Sequence, residues 1–285
     1  MSIGGQAGLT STSSNRRRPN AKKRFGQHFL SDVNILTRIV DAAEIRAGES
    51  VLEVGPGLGA LTTILAERAA RVIAVEVDRD LVPGLRERFA ATPNVAIVEA
   101  DVLDRTPGEL LAAGGGTEPY VVVANLPYNI AAPALRRFLE GDARPRRLVV
   151  MVQLEVGEAI VALPGKMSLL SVATQVYGET GMVMKVAPGA FSPPPKVQSA
   201  VVRIDVAEGP RVDVPLTTFF KVVRAGFGNP RKQLRNSLSF GLYAKQTFID
   251  ELMHDAGVDA TLRPQVLSLQ EWASITRAWV ARRGE

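Results

Sequence analysis

Apolar and polar residues alternate in blocks along this chain. Short β-branched runs recur at Ser50-Val51-Leu52-Glu53-Val54, Val72 to Val77, Val95 to Val98, Tyr120 to Val123 and Leu148 to Val152. Each is strand-sized. Between them the apolar residues fall at helical spacing. Ile35, Leu36, Ile39 and Val40 follow Asp32, a natural helix cap, and Leu61, Ile64 and Leu65 share one face after the first run. Strand-length runs alternating with helical segments predict a parallel sheet with helices on both faces. The cluster Ala112 to Gly116 reads as a loop before the Tyr120 run.

The rhythm changes after residue 165. Residues 171–187 and 197–206 read as longer strands, separated by Phe191-Ser192-Pro193-Pro194-Pro195. Proline lacks a backbone donor, so this stretch reads as a stiff extended arm. From Thr217 the pattern is helical, with segments near 216–226, 230–239, 246–256 and 269–282. The expected organisation is a tail at 1–21, an α/β domain at 22–206 and a helical domain at 207–285, with the boundary at Ala207-Glu208-Gly209-Pro210.

Composition narrows the class. With 285 residues, 46% hydrophobic and 22% charged, the chain is an ordinary globular mixture. It has no cysteine, which excludes disulfides, thiolate zinc sites and cysteine nucleophiles. Two histidines argue against a histidine-based metal site. No apolar run reaches the roughly 18 residues of a spanning helix.

Charge matters once it is divided. Residues 1–28 hold Arg16, Arg17, Arg18, Lys22, Lys23 and Arg24 and no acid, while the remainder has 28 basic and 29 acidic residues. The tail, with few apolar side chains, is expected to be disordered. Its Arg- and Ser-rich composition also fits an organelle transit signal, although it lacks an apolar face. A second acid-free stretch, 214–245, carries Lys221, Arg224, Arg231, Lys232, Arg235 and Lys245. Such stretches meet phosphates or form solvated surfaces, and charge alone does not separate the two.

Candidate chemistry gathers at the strand ends. Glu53-Val54-Gly55-Pro56-Gly57-Leu58-Gly59 joins a strand to a helix. Glycines there let a ligand approach the backbone, and the helix N-terminus offers free N–H groups. Glu76 ends the next strand and can accept from two ribose hydroxyls. With Ala60 the glycines also satisfy the relaxed dinucleotide fingerprint, so NAD, FAD and S-adenosylmethionine all remain open. Asp101, at the third strand end, can accept from an adenine amino group, which favours an adenosine-containing ligand. By itself it would be a turn or helix cap.

The fourth strand ends in Asn125-Leu126-Pro127-Tyr128-Asn129. Two oxygen acceptors, the Asn125 side chain and a backbone carbonyl held by Pro127, would draw the N–H bonds of an exocyclic amine out of conjugation. That raises its nucleophilicity toward a sulfonium methyl. Tyr128 can stack on a base that has left its own stack.

These residues resemble those of the S-adenosylmethionine-dependent ribosomal RNA adenine dimethyltransferases, the KsgA family. The resemblance runs from about residue 22 to 280. It is carried by Lys23-Arg24-Phe25-Gly26-Gln27-His28-Phe29-Leu30, Glu53 to Gly59, Glu76 to Leu81, Asn125 to Ile130, Phe191 to Val197 with Ser199 to Val202, and Leu234-Arg235-Asn236-Ser237-Leu238. It implies a Rossmann-like methyltransferase sheet with a small C-terminal all-helical domain. It also implies dimethylation of two adjacent adenosines in a hairpin near the 3′ end of small-subunit rRNA. By resemblance, His28, Leu30, Gly55, Gly57, Glu76, Asp101 and Asn125 line the cofactor site. Asn125, Leu126, Pro127 and Tyr128 position the target base, and Phe191 closes on its other face. His28 stands where the family often has Asn, so it is read as a variant and not as a catalytic base. Arg231, Lys232 and Arg235 are the expected RNA phosphate contacts.

One departure stands out. Gln153-Leu154-Glu155-Val156-Gly157-Glu158-Ala159 lacks the arginine usual in the family, and Leu163 to Ser168 is shortened, which puts the local loop geometry in question. Three other readings compete. They are a large-subunit rRNA adenine methyltransferase, a ribosome-assembly factor with secondary methylation and, more remotely, an NAD dehydrogenase. The expected protein is a cytoplasmic monomer acting on immature small subunits, with no metal and no membrane.

Overall fold

The computed structural model of the protein describes residues 28–283. The tail expected at 1–21 lies outside the described residues. The described chain opens with a two-residue strand, β1 (Phe29–Leu30), and helix α1 (Val33–Ala43). The Asp32 carboxylate caps α1 by accepting from the N–H groups of Asn34 and Ile35. Then follow β2 (Ser50–Val54), α2 (Ala60–Arg68), β3 (Arg71–Glu76), α3 (Val82–Arg88), β4 (Val95–Glu99), α4 (Pro107–Ala113), β5 (Tyr120–Asn125), α5 (Ala131–Leu139) and β6 (Arg147–Gln153).

The second half supplies α6 (Leu154–Ile160), α7 (Leu169–Gln175), β7 (Gly178–Val186), β8 (Phe191–Ser192) and β9 (Ser199–Val206). Seven strands form one sheet in the order β4-β3-β2-β5-β6-β9-β7. The first five are parallel; β9 runs antiparallel to β6 and to β7. Strand order reverses between β2 and β5. In an open α/β sheet this is where a crevice forms at the carboxyl ends of the strands.

The central strands β2, β3, β5 and β6 are buried on both faces, which is why they read as nearly continuous apolar runs. Val51, Val72, Val121, Val123, Val149 and Met151 face α1 and α2. Leu52, Ile73, Val122, Leu148 and Val150 face the other way, onto α4, α5 and the later helices. Period-two alternation thus sorts one set of strands into two cores.

Two expectations are corrected here. Residues 171–175 are not strand. Ser168 and Ser171 form a reciprocal capping box, and α7 runs to Gln175 before the strand begins at Gly178. The helix expected at 230–239 begins only at Leu234. The sequence also gave no hint of the antiparallel ribbon in which Leu30 faces Phe191 and Phe29 faces Ser192.

After Val206 only helices follow: α8 (Leu216–Phe227), α9 (Leu234–Gly241), α10 (Gln246–Ala256) and α11 (Leu269–Arg283). They share the sheet's second core. Tyr177 and Phe220 stack at 6.4 Å, and Trp272 is fully buried. The 163–168 loop is tied to this part too, because Gly165 and Met167 both donate to the carbonyl of Gln265. Glu158 pairs with Lys185 at 2.8 Å.

Candidate functional site

The carboxyl ends of β2, β3, β4 and β5 open into one cleft of about 870 Å³. Its lining includes His28, Leu30, Gly55, Gly57, Glu76, Asp101, Asn125, Leu126, Pro127 and Tyr128. Segments distant in sequence therefore line one cleft. The reason is topological: β2 and β5 are neighbours, so Gly55, just past β2, lies beside Asn125, the last residue of β5.

The glycine turn is built for close approach. Gly55, Gly57 and Gly59 have φ of 70°, 57° and 80°, a region that side chains with a Cβ avoid. A Cβ on Gly57 would lie 3.1 Å from the Phe29 ring. The turn is also bound to the carboxylate opposite it. Glu76 accepts from the Gly57 N–H at 3.2 Å and from the Asp78 N–H at 2.9 Å, one on each oxygen. Glu76 is 4% exposed. Burial raises its carboxyl above the ordinary range, and the two N–H groups pull back against that rise. Asp101 sits two residues beyond β4 rather than at its end, held in a turn by the Leu103 N–H at 2.9 Å.

The Asn125–Tyr128 turn forms the other wall. The Asn125 side-chain amide donates to the His28 carbonyl at 3.2 Å. Pro127 holds φ at −54°, and its carbonyl accepts from Ile130 N–H at 3.0 Å. The Tyr128 hydroxyl and Ser199 Oγ are 2.8 Å apart. The His28 ring lies over Tyr128, centroids 5.9 Å apart and planes 28° apart. Its Nδ1 is 2.8 Å from the Pro193 carbonyl. A carbonyl only accepts, so Nδ1 carries the hydrogen. His28 thus bridges the turn and the β8 arm.

Two predicted residue groups stand elsewhere. Phe191 is not on the cleft lining. It is 5% exposed and packs in the α1-side core through its ribbon pairing with Leu30, so the side chains the arm offers to the cleft are those of Ser192 and Pro193. Arg231 and Lys232 are exposed ahead of α9, whereas Arg235 is partly buried, 3.7 Å from Asp250.

The structure adds residues that the motifs did not single out. Glu53, inside β2, lines the cleft floor at 1% exposure, and its Oε2 has no hydrogen-bond partner among the described residues. Burial pushes its carboxyl up to about 8, and the Glu76 charge adds to the rise. Phe29, Val77 and Arg88 also line the cleft. Glu53 stood in plain view next to the glycines, and an acid inside an apolar strand was the available signal. No cluster of His, Asp or Glu suited to a metal ion occurs among the described residues.

The family described as ribosomal RNA adenine dimethylase matches residues 18–275. The chain belongs to that family. It is 44% identical to the ribosomal RNA small subunit methyltransferase A of Dehalococcoides mccartyi strain CBDB1, over 90% of this chain and 87% of that one. It is also 44% identical to the protein of the same name from Geobacter sulfurreducens, over 93% and 97%. Among solved structures, the 23S rRNA methyltransferase ErmE aligns with a TM-score of 0.71 at 29% identity, covering 88% of this chain and 98% of that one. A dimethyladenosine transferase from Plasmodium falciparum aligns at 0.77 and 21% identity, which speaks for the fold.

This dimethylase is accordingly an S-adenosylmethionine-dependent rRNA methyltransferase. Its cleft fits that cofactor on its own terms. The positive-φ glycine turn leaves room for a ligand against the backbone, and a buried carboxylate preset by two N–H groups ends the neighbouring strand. No described helix is long and apolar enough to cross a membrane.

Proposed function

We propose that this protein transfers methyl groups from S-adenosylmethionine to the N6 atoms of two adjacent adenosines in a hairpin near the 3′ end of small-subunit (16S) rRNA. One observation carries the chemistry: the Asn125–Tyr128 turn opens into the same cleft as Glu76 and Asp101. The substrate assignment is supported by relatives at 44% identity that are named small-subunit methyltransferases.

The cofactor supplies an electrophilic methyl group on a sulfonium. Glu76 would hold its ribose hydroxyls, Asp101 its adenine, and the Gly55–Gly57 backbone the remainder. On the substrate side, Asn125 Oδ1 and the Leu126 carbonyl accept from the two N–H bonds of the target amine. The nitrogen lone pair then leaves the ring's conjugation. Tyr128 holds the flipped base by stacking, on the face that His28 leaves open. The amine loses its proton after alkylation has made it cationic, so no side-chain base is required. Catalysis is positioning plus electrostatics.

In this reading Arg231 and Lys232 contact phosphates, and the protein works as a cytoplasmic monomer on immature small subunits. The second reading, a large-subunit enzyme, is favoured by the ErmE alignment. One experiment separates them. Small and large subunits lacking adenine methylation are incubated with protein and methyl-labelled S-adenosylmethionine, and the RNA is digested to nucleosides. Dimethyladenosine from small subunits alone is expected. Label confined to large-subunit RNA would replace this proposal with the second reading. Absence of label despite cofactor binding would indicate an assembly factor.

A further inference from the structure

Two exposed aromatic side chains stand apart from everything the cleft explains. Phe240 is 73% and Tyr243 94% exposed, and they lie three residues apart where α9 ends. No other Phe, Tyr or Trp among the described residues is among the exposed large side chains. The rest of α9 is well packed, with Leu234, Ser237 and Leu238 buried. Asn236 and Phe240, one turn apart, make its outer face.

The backbone at Tyr243 is strained to hold this arrangement. Its φ is 52°, a conformation that bulky residues rarely adopt. The turn is locked from below. Ser239 Oγ donates to the Ala244 carbonyl at 2.6 Å, and the Ala244 N–H donates to the Ser239 carbonyl at 3.0 Å. Glycine would sit there without strain, yet the chain places a large ring where it touches almost nothing of its own.

The surroundings are basic. Phe240 and Tyr243 fall within residues 214–245, which contain six basic residues and no acid. Lys245, exposed, is two residues beyond Tyr243. Gly241 packs on α8 so closely that a Cβ there would lie 2.6 Å from Ala225 Cα, which brings the exposed Arg224 to the same end of α9. Arg231 and Lys232 are exposed just ahead of the helix. Exposed rings interleaved with cations are the chemistry of single-stranded nucleic-acid surfaces. The rings take base faces and the cations take the backbone.

We infer that the α9 end is a second RNA contact, in which Phe240 and Tyr243 stack on unpaired rRNA bases while Arg224, Lys245, Arg231 and Lys232 hold the flanking phosphates. The inference rests on the reading of small-subunit rRNA as substrate. It adds a stacking platform in the helical part, on residues distinct from the methyl-transfer cleft. Its occupant is RNA because the patch combines apolar rings with four exposed cations, Arg224, Arg231, Lys232 and Lys245. A protein-binding patch of this size would bury its rings against apolar partners and has no need of four exposed cations.

The test uses the full chain and unmethylated small subunits, with affinity measured over a range of salt. Tyr243→Gly removes the ring and relieves the strained φ. Its thermal midpoint should be unchanged or raised, while subunit affinity falls about tenfold. Phe240→Ala should behave similarly, and Phe240→Tyr should restore binding. The aromatic variants should shift log K without altering its slope against log salt. Arg224→Gln and Lys245→Gln should each reduce that slope by about one. Cofactor affinity should be unaffected in all of them. Tyr243→Gly and Phe240→Ala binding subunits within twofold of wild type would overturn the inference. Loss of affinity for intact subunits but not for protein-free rRNA would also overturn it, assigning the patch to a ribosomal protein instead. If wild type itself neither binds nor methylates small subunits, the underlying substrate reading fails, which is a separate outcome.

Discussion

Asn125 and His28 are joined by a hydrogen bond of 3.2 Å from a side-chain amide to a backbone carbonyl, across 97 positions of sequence. The bond ties the first described residue to the turn proposed above to receive the target base. Because the Asn125 N–H group is committed to His28, its Oδ1 is the oxygen left to accept from a substrate amine. Asn125→Ala should therefore abolish methylation while S-adenosylmethionine still binds, more weakly, to Glu76 and the glycine turn. Label incorporation and calorimetric titration on the same preparation check this, and near-wild-type turnover would remove Asn125 from the mechanism.

Tyr128 offers a cleaner separation of ring from hydroxyl. Its hydroxyl is bonded to Ser199, and its ring lies against His28. Tyr128→Phe keeps the ring and loses one hydrogen bond, at a cost of about 1 kcal/mol in stability. Turnover should stay within a few-fold of wild type. Tyr128→Ala loses the stacking surface, and methylation should fall by roughly tenfold or more. If the two variants lose equal activity, the hydroxyl rather than the ring carries the function.

Gly59 tests how tightly the cofactor turn is packed. At φ 80°, alanine costs about 1 kcal/mol in backbone strain, and its Cβ would lie 2.7 Å from a ring carbon of the buried Phe89. Gly48 has φ 83° but nothing within 4 Å of such a Cβ. Gly48→Ala should therefore cost the strain alone, and Gly59→Ala about 1–3 kcal/mol more from overpacking. Urea unfolding of both variants measures the difference. Equal losses would mean that Phe89 yields freely.

The parallel strands were legible because burial on both faces removes polar residues from them, leaving runs such as Val121 to Val123 that no helix pattern imitates. The cleft was legible for a related reason, since its residues end those strands. What failed depended on packing or on very short pairing. Val172, Thr174 and Val176 favour strand by local preference, but the Ser168–Ser171 capping box and burial of Val172 against the sheet's core set them in and after a helix. Phe191 was assigned to the base from its motif. Its depth depends on a two-residue pairing with Leu30 that no sequence signal announces. Glu53 was quoted only as part of a glycine motif, and its depth emerges only once Glu76 and α2 are placed around it.

That burial has a measurable consequence. Glu53 is buried, has no partner at Oε2 among the described residues, and is raised from an ordinary value of 4.5 to about 8, with desolvation as the main cause and a hydrogen bond to Thr62 opposing it. Between those two values the unfolded chain has released this proton and the folded chain has kept it. The native state then binds more protons, so stability falls as pH rises through the window, with a slope approaching about 1.4 kcal/mol per pH unit for this group. Glu53→Gln carries a permanently neutral amide in the same volume and removes that contribution. Its melting temperature should match wild type near pH 5 and exceed it increasingly toward pH 8, when both are measured without cofactor. Parallel profiles across that range would mean that Glu53 ionises in the folded protein near its usual value, and that water or a cation reaches the cleft floor.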